Sequence, residues 1–326
     1  MTKVPVTILT GFLGAGKTTL LNRILRERHG ERIAVIENEF GAASIDTDLL
    51  FDSGVEQIVE MNNGCICCTV RGDLVRILGE LRQRREANPA AFDRVIIETT
   101  GLADPAPVAQ TFFIDDDIAA AYALDAIVTV VDAKHAPRQL DQFHEAQEQV
   151  AFADRILLSK ADLVSDAESA ALLARLRRIN PRAAVKPVHF GETPIADLLD
   201  IGGFSLDSIL EIEPGFLDDD AHEHEHDDSV QSFVFTSAHA LDPGRLQAFF
   251  RATIAAHAAD LLRYKGVVAF PGVDRRVVFQ GVHVMMGSDI GRPWAVGEAR
   301  GSKLVFIGRK LPQDALIAQL ETCVCA

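Results

Sequence analysis

The octapeptide Gly11-Phe12-Leu13-Gly14-Ala15-Gly16-Lys17-Thr18 satisfies the pattern G-x-x-x-x-G-K-S/T in full, and no other stretch of the chain restricts its fold so tightly. It follows an apolar run at 4–9 and precedes a run in which Leu20, Leu21, Ile24 and Leu25 recur at helical spacing. Strand, glycine-rich turn and helix in that order make a phosphate-binding loop. Gly11, Gly14 and Gly16, with Ala15 between the last two, let backbone N–H groups close around a β-phosphate. Lys17 reaches the β and γ oxygens, and the Thr18 hydroxyl can ligate Mg²⁺. The helix N-terminus adds its own attraction for anions. Thr19 borders the same nucleotide, and it also excludes a dinucleotide fingerprint, which would need a third glycine there. Gly30 stands where a C-terminal cap of the helix is expected.

Behind this loop the chain alternates in the manner of an α/β fold, a mostly parallel sheet flanked by helices. Strands are expected at 33–36, 95–97, 126–131 and 156–158, continuous β-branched runs of the kind buried on both faces. Helices are expected at 73–85 and 167–179. The composition breaks once. Residues 214–229 hold seven acids, no Lys or Arg, and the alternation His222-Glu223-His224-Glu225-His226. That stretch is read as an acidic, His-bearing linker between a domain at 1–213 and a smaller α+β domain at 230–326. In the latter, strands are expected at 232–236, 267–270, 277–279 and 304–307, with helices at 246–254 and after Pro312.

Composition excludes several functions. A net charge of −15 over 326 residues argues against nucleic acid, which needs a basic face. No apolar run approaches the roughly 18 residues of a membrane span, and the N-terminus lacks a signal-peptide pattern, so a cytoplasmic protein without a membrane partner is expected. The five cysteines stand as Cys65, Cys67 and Cys68, then Cys323 and Cys325. Clustered thiols suit metal or redox work better than a disulfide framework.

The strand ends carry the remaining chemistry. Glu98-Thr99-Thr100-Gly101 occupies the site where a carboxylate orients Mg²⁺ and a Gly101 N–H can sense a γ-phosphate. Ser159-Lys160-Ala161-Asp162 reads the base: Asp162 can accept from the N1 and N2 donors of guanine, whereas adenine offers no such pair. Ser159 replaces the more usual Asn, which weakens the expected bracing of the loop. No catalytic Gln or arginine finger stands out, so intrinsic hydrolysis is expected to be slow. Asn62-Asn63-Gly64-Cys65-Ile66-Cys67-Cys68 supplies three soft ligands for Zn²⁺ or a similar ion; three buried thiols or a redox pair are the alternatives. Glu37-Asn38-Glu39-Phe40-Gly41 lies where a nucleotide-sensing switch would begin, and Glu37 or Glu39 could join the metal. His222, His224 and His226 are weaker, auxiliary ligands or a plain solvated linker.

With these motifs the chain resembles the CobW-type P-loop GTPases, metallochaperones related to nucleotide-dependent metal-insertion proteins. Around Gln110-Thr111-Phe112-Phe113, Leu262-Arg263-Tyr264-Lys265-Gly266 and Arg292-Pro293-Trp294 it is most similar to the YjiA branch. The resemblance implies a GTPase that cycles between GTP and GDP with Mg²⁺. Its catalytic set would be Lys17, Glu98 and Gly101. It would bind Zn²⁺, or another transition metal such as Co²⁺ or Ni²⁺, for a metalloprotein client, and it could assemble as a homo-oligomer. After Gly41 the family often has another Glu; Ala42 stands here, so the thiols are expected to dominate the metal site. A passive metal-storage protein and a P-loop small-molecule kinase are the competing readings.

Overall fold

The computed structural model describes residues 3–27, 30–37, 57–60, 69–188, 194, 198–203, 230–294 and 300–325. The chain divides into two compact units, Met1–Leu173 with Ala183–Ile201, and Ala174–Arg182 with Gly202–Ala326.

The first unit runs β1 (Val4–Gly11), α1 (Lys17–Arg26), β2 (Ile33–Glu37), β3 (Gln57–Glu60), α2 (Thr69–Ala87), β4 (Arg94–Glu98), α3 (Ala106–Ile114), α4 (Asp116–Ala121), β5 (Tyr122–Asp132), α5 (Ala136–Gln142), α6 (His144–Phe152), β6 (Arg155–Ser159), the first part of α7 (Asp166–Ile179), whose residues from Ala174 on fall in the second unit, and β7 (Ala184–Val188). All seven strands pair in parallel in the order β3-β2-β4-β1-β5-β6-β7. The five strands read from sequence, β1 included, are the central apolar ones, as two-sided burial requires. β3 and β7, which sequence reading missed, are the edges. β7 is mostly uncovered and carries Pro187, which an edge strand tolerates.

α1 packs Leu20, Leu21, Ile24 and Leu25 against Leu9, Val35, Ile96, Val128 and Leu157. Burying each such side chain is worth roughly 1.5–3 kcal/mol. The helix ends earlier than Gly30 implies. Glu27 is already extended and its N–H closes the last turn on Arg23 O, while its carboxylate accepts from Arg23 Nε at 2.5 Å. At the opposite end of the sheet from the phosphate loop, Arg94 is fully buried and ion-paired to Glu31 at 2.9 Å, Asp125 at 3.2 Å and Asp200. Three carboxylates compensate the desolvation that one buried guanidinium suffers.

The second unit contains β8 (Val230–Ser237), α8 (Pro243–His257), β9 (Leu261–Val268), β10 (Arg275–Val282), β11 (Met285–Pro293), β12 (Ser302–Arg309) and α9 (Gln313–Glu321). Its five strands are antiparallel in the order β11-β10-β9-β12-β8. Asp242 caps α8 by accepting from Arg245 N at 2.8 Å, and Pro243 fixes its first turn. The strand expected at 267–270 lies earlier, at Leu261–Val268, where Arg263 and Lys265 interrupt the apolar pattern. Cys323 is buried in this core among Leu241, Leu316 and Leu320. Burial pushes its thiol pKa up. Among the described residues no helix is long and apolar enough to cross a membrane.

Candidate functional site

β1 lies between β4 and β5, the point at which the strand order diverges, and open α/β sheets bind ligands outside the carboxyl ends of strands there. The phosphate loop leaves β1 at that point. Its glycines have geometric causes. Gly11 has φ +142°, and a Cβ on it would stand 2.3 Å from Val130 O. Gly14 and Gly16 also have positive φ, at 74° and 105°, in open space. Gly16 is the N-cap of α1 and the first turn holds no acid, so the start of the helix is suited to an anion. Ala15 is buried behind the loop, and Lys17, 8% exposed, donates to Gly11 O at 2.8 Å.

Thr18 and Glu98, assigned to Mg²⁺ 80 residues apart in sequence, meet here. The Thr18 hydroxyl donates to Glu98 Oε1 at 3.1 Å. Two hard oxygen donors side by side fit a magnesium ion, which neutralises phosphate charge when bound. Beside them Thr99 donates to Thr10 Oγ1 at 2.8 Å, tying β4 to β1. Gly101 abuts the phosphate loop so closely that a Cβ on it would lie 2.6 Å from Leu13 N. Thr19 is exposed at the start of α1.

On the other flank, the bracing expected to weaken at Ser159 is present. Its hydroxyl donates to Ala15 O at 2.7 Å, with Val131 O also near at 3.3 Å. Lys160 has φ 55°, a left-handed conformation that turns its side chain back over the loop. Its ammonium donates to Gly14 O at 2.8 Å and to Asp132 Oδ2 at 2.7 Å. Asp162 follows in a 3₁₀ turn, Ala161–Leu163, and is exposed where a base can reach it.

Asp132 was not read from sequence. It ends β5, is 2% exposed, and accepts also from the Lys134 and His135 N–H groups and pairs with His135 Nδ1 at 3.0 Å. Burial opposes its ionisation, but the Lys160 and His135 hydrogen bonds outweigh this and hold its pKa below the ordinary aspartate value. An acid closing a buried apolar strand is the signal that could have found it.

Most of the residues expected to ligate a transition metal are not among those described. Glu39, Cys65, Cys67, Cys68, His222, His224 and His226 lie outside the described residues. Among the described residues no group of three or more His, Cys, Asp or Glu is arranged to hold a metal. Glu37, at the end of β2, stands in register between Glu98 of β4 and Glu60 of β3. At about 4.8 Å per strand, the three backbones span roughly 10 Å. β3 ends five residues before Cys65, and α2 begins one residue after Cys68.

Residues 5–187 match the nucleotide-binding domain of the CobW/HypB/UreG family, and residues 230–324 match the cobalamin synthesis protein cobW C-terminal domain. The chain is 41% identical over 322 residues to the zinc chaperone YjiA of Escherichia coli, covering 98% of each. It is 36% identical to the zinc chaperone CobW of Pseudomonas aeruginosa, covering 99% of this chain and 92% of that one. The crystal structure of zinc-bound E. coli YjiA GTPase superposes with a TM-score of 0.79 at 36% identity, covering both chains completely. A zinc-bound variant of that protein, with one glutamate and two cysteines replaced by alanine, gives 0.80 at the same identity and coverage.

Proposed function

The chain belongs to the CobW family of P-loop nucleotide-binding proteins, and on that premise we propose that it is a GTPase metallochaperone. It binds and slowly hydrolyses GTP, and couples nucleotide state to holding a transition metal, zinc first, for a cytoplasmic metalloprotein client. We assign the nucleotide to Gly11, Gly14, Ala15, Gly16, Lys17, Thr18, Thr19, Lys160 and Asp162, and the metal to Cys65, Cys67 and Cys68 with Glu37 or Glu39. The acidic stretch 214–229 serves as the linker between a GTPase domain and the C-terminal domain, with its histidines as auxiliary ligands.

The observation that carries the GTPase reading is the meeting of the Thr18 hydroxyl and the Glu98 carboxylate at 3.1 Å. The coupling reading is supported by strand register: Glu98 beside the nucleotide, Glu37 next to it, then β3, whose end feeds the cysteine segment. A γ-phosphate that orders the loops after β2 and β4 would thereby reposition the thiols. Linkage then requires that Mg·GTP tighten metal binding by the factor by which metal tightens GTP.

Competition titration of zinc against a chromophoric chelator tests this in the apo, GDP and GTP-analogue states. Because the E. coli relative's alanine variant is itself zinc-bound, the number of zinc ions is a poor readout, and the nucleotide dependence of affinity is the useful one. The expected tightening with the analogue is on the order of 1–3 kcal/mol. It should disappear when Cys65, Cys67 and Cys68 become Ser, and zinc affinity should fall as pH falls, since thiolate ligation releases protons. Equal affinity in all three states would favour passive storage. A phosphorylated small-molecule acceptor would favour a kinase.

A further inference from the structure

Gln149 is 1% exposed on α6, and its side-chain amide donates both hydrogens to the loop after β4: to Gly101 O at 3.1 Å and to Ala103 O at 3.0 Å. Its own backbone carbonyl accepts from the Thr129 hydroxyl of β5 at 2.7 Å, so the amide is presented from a fixed point of the sheet. The loop it holds is the one that lies against the phosphate loop. We propose that Gln149 is a positioning residue that fixes this loop in its γ-phosphate-sensing conformation, and so sets how strongly the protein distinguishes GTP from GDP.

Peptide planarity supplies the physical reason. In a trans peptide the C=O and the following N–H point in opposite directions, so fixing a carbonyl also aims the next amide. The Ala103 N–H bond to Thr100 O at 3.1 Å fixes the peptide that carries the Gly101 N–H. The two bonds from Gln149 fix the Gly101–Leu102 and Ala103–Asp104 peptides. The Ala103 N–H itself belongs to the Leu102–Ala103 peptide, so all four peptides from Thr100 to Asp104 are engaged before any nucleotide arrives, which is preorganisation of donors toward developing or bound charge. The diphosphate is assigned to the other loop, Gly11 to Thr18, whereas both side-chain bonds of Gln149 go to the loop after β4. A side chain acting only on the γ-phosphate loop should therefore separate the affinities for the two nucleotides.

This inference rests on the GTPase reading, and the test keeps the two apart. Fluorescent GDP and a fluorescent non-hydrolysable GTP analogue are titrated with Mg²⁺ into the full chain and into Gln149→Met, which keeps the length of the side chain and removes both donors. GDP affinity should stay within about twofold. Analogue affinity and kcat should each fall about tenfold, which is a change of roughly 1.4 kcal/mol. Gln149→Asn, whose shorter reach can serve one carbonyl, should shift the ratio of affinities in the same direction by less, and it stands in if the Met variant does not fold. In the unaltered protein, amide exchange over residues 100–104 should slow with the analogue beyond what GDP achieves. Parallel losses of GDP and analogue affinity, an unchanged ratio, or equal exchange with both nucleotides would overturn the assignment. Failure of the unaltered chain to bind either guanine nucleotide would instead defeat the GTPase reading.

Discussion

The two units bury different chemistry. In the first, Thr10, Lys17, Thr99, Asp132, Gln149 and Ser159 are all under a tenth exposed at or beside the carboxyl ends of the strands, and each is held by side-chain hydrogen bonds. In the second, the core is ring against ring: Phe250 has Phe279 at 5.3 Å, Tyr264 and Phe249 at 5.5 Å, and Phe306 at 6.2 Å. Hydrogen bonds contribute only about 0.5–1.5 kcal/mol each on balance, but they are directional. Ring packing has looser directional demands and a larger yield from area burial. The first arrangement shapes a ligand site; the second holds a sheet together. Trp294, the chain's single tryptophan, belongs to the second unit, packed on Val267 and Val278 with the Arg276 guanidinium 4.4 Å from its ring centroid. Its emission therefore reports the second unit, while nucleotide binding reports the first.

The largest expected effect lies in the aromatic core. Phe250→Ala removes the ring that four others touch and should cost about 3–5 kcal/mol, read as an earlier urea transition of Trp294 emission. GDP affinity below that transition should not change. If it fell in step with stability, the contrast between the units would be broken. Lys17→Ala should give the opposite pattern. It removes a charge-assisted contact to phosphate and should weaken triphosphate binding roughly 10- to 100-fold by calorimetry, with the Trp294 transition unmoved. Retained GTP turnover in that variant would undo the assignment of the loop.

How much of this was legible in the sequence follows the same division. The phosphate loop, Glu98, Lys160 and Asp162 were readable because each is a short motif at the end of an apolar strand. Gln149 and Asp132 were not. Gln149 acts on carbonyls 46 and 48 residues away, and a polar residue inside a helix carries no local mark of that. Among strands, the three missed entirely, β3, β7 and β11, are all sheet edges. An edge strand need not be apolar on both faces, and β11 carries Gly287, Gly291 and Asp289 while exposing Met286 and Ile290. The periodicity that reveals a strand comes from burial, so it fades where burial does.

The smallest expected effect sharpens the comparison through pH. Among the described residues, the carboxyl groups held below their ordinary values are Asp93, Asp132 and Glu168, all in the first unit. Only Asp132 is buried, with Lys160 at 2.7 Å and His135 at 3.0 Å. In the folded chain it keeps its charge to lower pH than in the unfolded chain, so on acidification the unfolded chain binds the proton first. Its contribution is complete above the ordinary value of 3.8 and is lost as pH falls through the lower folded value. Asp132→Asn should remove that part of the acid dependence. Urea unfolding between about pH 3 and 6, followed by far-ultraviolet dichroism for the whole chain and Trp294 emission for the second unit, measures it. The dichroism midpoint should lose some of its fall below about pH 4 in the variant, and the Trp294 midpoint should follow the same curve in both proteins. An undiminished acid slope in Asp132→Asn would mean that Lys160 and His135 lend the carboxylate no net stabilisation, and that the base-side bracing rests on Ser159 and the Gly14 carbonyl alone.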